Sequence, residues 1–98
     1  MAKVIVPEKT KQALKIVLKD DDSVAYLIEA FEHGEIIHFF SNLKLNYDLR
    51  NERIDSDFFD AKHIDKDEYI NRKEKIRAAY KEVVNFFAEI QKESEPFR

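Results

Sequence analysis

The scarcity of glycine is the feature that most restricts the fold of this chain. Its 98 residues include one glycine, Gly34, and two prolines, Pro7 and Pro96. Sandwiches and barrels of β-strands need many turn glycines, whereas helices joined by short polar turns do not. Hydrophobic residues make up 44% and charged residues 38% of the chain. We therefore expect one mainly α-helical domain over residues 1–98, because the length is too short for two well-formed cores.

Residues 1–34 are predicted to form a strand-helix-helix unit. The β-branched run Val4-Ile5-Val6 favours a short strand or an extended arm. Pro7 suits the first turn of a helix, where its missing N–H costs nothing. A helix over residues 7–19 keeps its apolar side chains on one face.

The turn after this first helix, Asp20-Asp21-Asp22-Ser23, is rich in residues that favour helix caps. We expect Asp22 or Ser23 to cap a second helix over residues 23–33. Gly34 then stands where a left-handed residue commonly ends a helix.

The middle of the chain, residues 35–64, is open to more than one interpretation. Helical spacing of apolar residues predicts a short helix at 35–42. Residues 43–49 alternate between apolar and polar, which is typical of a half-buried strand but also arises by accident in irregular segments. The remainder lacks periodicity and is predicted to be a loop pinned by the Phe58-Phe59 pair.

The last element, a long helix over residues 65–94, has the clearest pattern. Asp65 and Glu68 have the spacing of a capping box. Apolar residues then repeat every seven positions, at Tyr69, Ile76, Val83 and Ile90, and Ala79, Tyr80, Phe86 and Phe87 widen the stripe. A helix of this length, about 40 Å at 1.5 Å per residue, is predicted either to project toward a partner or second copy, or to form the spine of an intramolecular bundle.

The residues that support catalysis or metal binding are sparse. The chain has no cysteine and no serine in a glycine-flanked strained turn, and phosphate-cradling loops need glycines that it lacks. Asp55, Asp57 and Asp60 resemble the start of a calcium loop, but Asp60 stands where that loop needs glycine. We expect no enzymatic activity, no cofactor and no metal.

Charge is distributed unevenly along the sequence. Residues 1–19 hold five lysines against one acidic residue, whereas residues 20–98 hold 12 basic and 19 acidic residues. Such asymmetry is typical of a cationic face for nucleic acid on an acidic body, although lysine-rich solvent faces are also common on short helices.

Residues 3–33 resemble a ribbon-helix-helix protein, a small dimeric DNA-binding fold. The resemblance is carried by Val4-Ile5-Val6-Pro7-Glu8, by Ala13-Leu14 with Val17-Leu18, and by Ser23-Val24-Ala25-Tyr26-Leu27-Ile28. It implies a homodimer whose paired N-terminal strands enter the major groove, and a regulator, for example an antitoxin. On this interpretation Lys3 contacts bases, and the residues that neutralise phosphates are Lys9, Lys11 and Lys15.

A second interpretation is a small acidic helical module for protein–protein interaction, such as an inhibitor or immunity-type protein. Aromatic anchors inside charged rims are typical of interfaces. The candidate anchors are Tyr47, Phe58 and Phe59, and the acidic residues around them are Asp55, Asp57 and Asp60. The alternative is that these aromatic side chains belong to the core.

The sequence also bears on location. The N-terminus lacks the pattern of a signal peptide, and no apolar run approaches the roughly 20 residues of a membrane span. We therefore expect a cytoplasmic protein whose partner is a nucleic acid or a protein, without membrane association.

Overall fold

Four α-helices and one π-helical turn form the chain between residues 4 and 94, which is the part that this computed structural model describes; side chains are described for residues 4–92. The elements are α1 (Glu8–Leu18), α2 (Asp21–Glu32), α3 (Ile36–Asp55), the π-turn (Ser56–Asp60) and α4 (Lys66–Ser94). No β-strand occurs in this range. The predicted mainly α-helical class is confirmed.

The N-terminal residues 4–7 form neither strand nor helix, which excludes the strand and leaves the arm, the second of the two alternatives for the β-branched run. The backbone N–H of Val4 donates to Glu32 Oε2 at 2.9 Å, which ties the arm to the end of α2. Pro7 precedes α1 as its N-cap. Lys19 is the C-cap of α1, and its φ of 83° is left-handed, a conformation that costs a side-chain-bearing residue more than glycine.

The second helix begins two residues earlier than predicted, and its cap is Asp20 rather than Asp22 or Ser23. Asp20 has extended backbone angles, and its carboxylate accepts from the Ser23 N–H at 2.7 Å. That hydrogen bond, with a smaller contribution from the charge of Arg50, lowers the pKa of Asp20. Asp21 and Asp22 therefore enter the first turn, where negative charge complements the helix dipole.

Gly34 ends α2 as predicted. Its φ is 83°, its N–H donates to the Phe31 carbonyl at 3.0 Å, and the Glu35 N–H donates to the Ala30 carbonyl at 3.0 Å. These two bonds form a Schellman motif, which a glycine at this position favours.

The middle of the chain differs most from its prediction, because α3 continues through residues 43–49 to Asp55. The alternation of apolar and polar residues there was accidental. Phe39 and Leu43 face the core with helical spacing and are fully buried, whereas Leu45 and Leu49 are more than half exposed. The predicted loop up to Ile64 is also wrong, since only residues 61–65 are irregular.

The long C-terminal helix is confirmed, and it is the spine of an intramolecular bundle packed on α1 and α3. The Asp65 carboxylate caps it by accepting from the Glu68 N–H at 2.8 Å. The Glu68 side chain does not close a capping box, because it pairs with Arg72 at 2.7 Å. The molecule measures 49 × 23 × 22 Å, so α4 accounts for most of its length.

The core includes a triplet of buried phenylalanine rings, one each from α2, α3 and α4. The ring centroids of Phe31, Phe39 and Phe87 lie 4.5–5.1 Å apart. We call this the core triplet. Tyr69 near the start of α4 lies about 27 Å from Phe87 along the helix axis, at 1.5 Å per residue. The two ends of α4 therefore support separate regions.

Candidate partner-binding surface

The end of the molecule opposite the core triplet gathers most of the predicted partner-binding residues. Here α3 ends, the π-turn follows and α4 begins, and we call residues 55–74 the acidic tip. The tip includes every predicted partner-binding residue except Tyr47. Tyr47 lies in the middle of α3, where its half-buried side chain stacks on Tyr80, with 4.2 Å between ring centroids. Tyr47 therefore links α3 to α4 and is not an exposed anchor.

The π-turn sets the directions of the two tip phenylalanines. Phe58 is half-buried and stacks on Tyr69 of α4, with ring centroids 4.5 Å apart and planes 19° apart. Phe59 meets the same tyrosine edge-on at 5.5 Å but remains 61% exposed. The prediction that these two rings pin a loop is wrong, because they lie in a helical turn and pack against the start of α4. Single π-helical turns inside helical segments occur frequently at functional sites.

Asp55 joins the two helices below these rings. Its Oδ1 accepts from the Lys73 ammonium at 2.9 Å and from the Tyr69 hydroxyl at 2.9 Å. The Lys73 hydrogen bond, opposed by desolvation and aided by Tyr69, holds the pKa of Asp55 below its ordinary value. The hydrogen bond to Asp55 raises the pKa of Tyr69 in turn. Asp55 is therefore a structural acceptor that orients the aromatic cluster.

The remaining predicted carboxylates differ in their pairing. Asp57 lies 3.6 Å from Arg53 and 3.8 Å from Arg72, so its charge is compensated within the chain. Asp60 is exposed, and no basic side chain among residues 4–92 pairs with it. Of the three predicted aspartates, Asp60 is the one whose charge is available to a partner.

A shallow depression of about 450 Å³ continues the acidic tip along the first turns of α4. Its lining combines four carboxylates with one amide and one apolar side chain, from Asp65, Asp67, Glu68, Ile70, Asn71 and Glu74. Ile70 is 44% exposed. This depression was not predicted from the sequence, because the seven-residue stripe of α4 omits Ile70 and the acidic residues have the pattern of an ordinary solvated face.

The predicted DNA-binding lysines lie on α1, apart from Lys3, which is outside the described residues. The Lys9 ammonium is 3.4 Å from Glu82, and that of Lys15 is 3.2 Å from Asp21. Lys11 is exposed and shares a groove of about 620 Å³ with Lys15. Acidic side chains of α2 line the same groove, so this face carries both signs of charge.

Other classes of site are not formed by the described part of the chain. Between residues 4 and 92, no three His, Asp or Glu side chains converge as they would around a metal ion. Thr10 is the one buried polar residue of that range, and its hydroxyl donates to Glu82 Oε2 at 2.9 Å. None of the helices described here is long and apolar enough to cross a membrane.

No protein family, no curated protein and no solved structure matches this chain. What can be said of its function therefore depends on the residues and their geometry.

Proposed function

We propose that this chain is a non-enzymatic protein-binding module, and that its acidic tip receives a partner segment carrying basic side chains beside an apolar one. The observation that carries the proposal is the placement of Phe59. A phenylalanine that is 61% exposed sits in the acidic tip, whose residues 55–74 include seven acidic and four basic residues. This is the mode of action expected of an inhibitor or immunity-type protein.

Rigidity supports Phe59 as an anchor. The stacked pair of Phe58 and Tyr69 lies beneath it, and Asp55 fixes the Tyr69 hydroxyl at 2.9 Å. A side chain whose supports are already ordered loses little conformational entropy when a partner binds. Aromatic side chains are enriched among the residues that dominate binding energy.

Charge decides which partner fits. Residues 55–74 contain seven acidic and four basic residues, so the acidic tip carries a formal net charge of −3. Asp60, Asp67 and Glu74 have no basic partner among the described side chains. A segment with lysine or arginine would meet a complementary potential there, which increases association rate and specificity.

The ribbon-helix-helix interpretation stays a prediction, and so does the homodimer that it requires. Of the three predicted DNA-binding lysines that the structure describes, two already have acidic neighbours within the chain, Lys9 and Lys15. Partial neutralisation weakens phosphate binding, because counterion release depends on uncompensated positive charge. The geometry therefore favours a protein partner over duplex DNA.

The test uses a fluorescent amphipathic peptide of lysine and leucine, titrated with the full chain. Replacing Phe59 by Ala is expected to weaken binding about tenfold or more, which corresponds to a loss of at least ~1.4 kcal/mol of binding free energy. The matched control is Ile37→Ala, since Ile37 is 84% exposed on α3, outside the acidic tip. An otherwise identical peptide with glutamate in place of lysine is expected to bind more weakly.

Two results contradict the proposal. One is equal loss of affinity in the Phe59→Ala and Ile37→Ala variants, which would indicate non-specific apolar contact. The other is binding to duplex DNA that falls steeply with salt and disappears when Lys3, Lys9 and Lys11 are all replaced by Ala, which would support the ribbon-helix-helix interpretation instead.

A further inference from the structure

A second concave site of opposite charge lies where α1, α3 and α4 meet. It is a groove of about 260 Å³ lined by three isoleucines and three cationic residues: Ile16, Ile54, Ile76, Arg50, Arg72 and Lys75. We call it the isoleucine groove. Ile76 is buried in its floor, and Ile16 and Ile54 are partly exposed at its walls.

The cations of this groove are only partly compensated. Arg72 pairs with Glu68 at 2.7 Å and Asp57 at 3.8 Å. Neither Arg50 nor Lys75 forms an ion pair with any described carboxylate. Two cations without an ion-pair partner beside an apolar groove create a positive local field, which attracts anions.

Arg50 is held in place by the fold. Its Nε donates to the Val17 carbonyl at 3.1 Å and so satisfies one of the last carbonyls of α1. The terminal nitrogens of this half-buried guanidinium have no partner among the described residues. The charge of Arg50 contributes to the lowered pKa of Asp20, so Asp20 compensates this cation in part, but the two side chains do not form an ion pair. The guanidinium is therefore positioned to bind an external carboxylate.

The size of the groove indicates the kind of ligand. Specific protein interfaces involve roughly 20–30 residues on each side, whereas six residues line this groove. Its volume of about 260 Å³ lies just below the range of roughly 300–1,000 Å³ typical of sites for drug-sized molecules. A short, flexible apolar chain with one anionic end fits these limits better than a peptide helix.

We infer that the isoleucine groove binds a medium-chain aliphatic carboxylate, with the chain against the three isoleucines and the carboxylate between Arg50 and Lys75. This goes beyond the proposed function, because it concerns a different surface and a ligand of opposite charge.

The experiment titrates the full chain with octanoate and follows the isoleucine methyl groups by carbon–proton NMR. The methyl signals of Ile16, Ile54 and Ile76 are expected to shift together, while those of Ile5 and Ile37 serve as internal controls. From hexanoate to decanoate, affinity is expected to rise about fourfold per methylene group until the groove is full.

Two further probes separate charge from apolar contact. Acetate has the carboxylate without the chain, and octylammonium has the chain with the opposite charge, so both are expected to bind more weakly than octanoate. The inference is overturned if octylammonium matches octanoate, or if the control methyl groups shift as much as those of the groove.

Variants complete the test. Lys75→Gln is expected to weaken octanoate binding by up to about fivefold, while Lys81→Gln, an equal charge change elsewhere on α4, changes it by less than about twofold. Lys75 is exposed and forms no ion pair with a described side chain, so we expect its replacement to leave folding intact. Equal effects of the two substitutions would contradict the assignment. Phe59→Ala should leave octanoate binding unchanged, which keeps this result separate from the peptide test.

Discussion

The chain contains two aromatic triplets with nearly the same distances between ring centroids and very different surroundings. In the core triplet, centroid distances are 4.5–5.1 Å, and Phe39 and Phe87 are completely buried. In the tip triplet of Phe58, Phe59 and Tyr69 they are 4.5–5.5 Å, yet Phe59 is 61% exposed. Three helices enclose the first triplet, whereas the second is formed by the π-turn and α4 alone.

This difference shows that ring contacts alone do not define a core. Burying apolar area is the main stabilising contribution, and an edge-to-face pair adds only about 0.5–1.5 kcal/mol beyond it. The core triplet therefore contributes mostly to the free energy of folding. At the tip, the same contacts fix the direction of an exposed ring, and the area left open is what a partner can bury.

Matched alanine substitutions give the largest expected contrast between the triplets. Phe87→Ala should lower the free energy of unfolding by about 3–5 kcal/mol, because it leaves a cavity among α2, α3 and α4. Phe59→Ala should lower it by about 1 kcal/mol or less, since most of that ring is in water. Urea denaturation followed by circular dichroism measures both. Similar losses for the two variants would show that the tip is part of the folding core.

A smaller effect is expected from the polar contact that orients the tip. Asp55→Asn should destabilise the protein by about 1 kcal/mol, because it removes the charge that Lys73 and Tyr69 bind, at a half-exposed site. Asp60→Asn is the matched control and should change stability by less than about 0.5 kcal/mol. If both variants unfold at the wild-type urea concentration, Asp55 does not hold the tip together.

The smallest expected effect is the pH dependence of the free energy of unfolding. The folded-state pKa of Asp55 is lowered, chiefly by Lys73, so its contribution is fully present above the ordinary aspartate value of about 3.9 and is lost as pH falls through the lowered pKa. Tyr69 has a raised pKa, so its contribution is present below its ordinary value of about 10 and is lost at higher pH.

The measurement is urea denaturation of the wild type and the Asp55→Asn variant between about pH 2 and 5. The stability difference between them should shrink toward the acid end by less than about 1 kcal/mol, given the exposure of the site. A difference that stays constant over this range would contradict the role of the Asp55 carboxylate.

Several features were predictable because they depend on neighbours in sequence. Gly34 ends α2, since only a residue without a side chain adopts the left-handed conformation freely. The seven-residue stripe of α4 correctly marked Ile76 and Val83 as buried. The aspartates of the π-turn and Phe58-Phe59 were recognised as a group because they are nearly consecutive in the sequence.

Other features were not predictable, because they depend on a choice among equivalent neighbouring residues or on contacts between separate elements. The cap of α2 was misplaced, since three successive aspartates offer equivalent carboxylates and only the backbone angles at Asp20 select one. The role of Tyr69 was also missed. It looked like the first core residue of α4, and its stacking on Phe58 follows only from the π-turn that brings the end of α3 back to α4.

The sequence by itself determined that this chain is helical, where its glycine ends a helix, and which face of α4 is buried. Periodicity, capping and the rarity of glycine act over a few residues, so they can be read locally. Tertiary structure decided that residues 43–49 are helical, that Phe59 faces solvent and that Arg50 reaches Val17 across the bundle. These outcomes depend on which surfaces meet, and that is settled by the free energy of packing whole helices together.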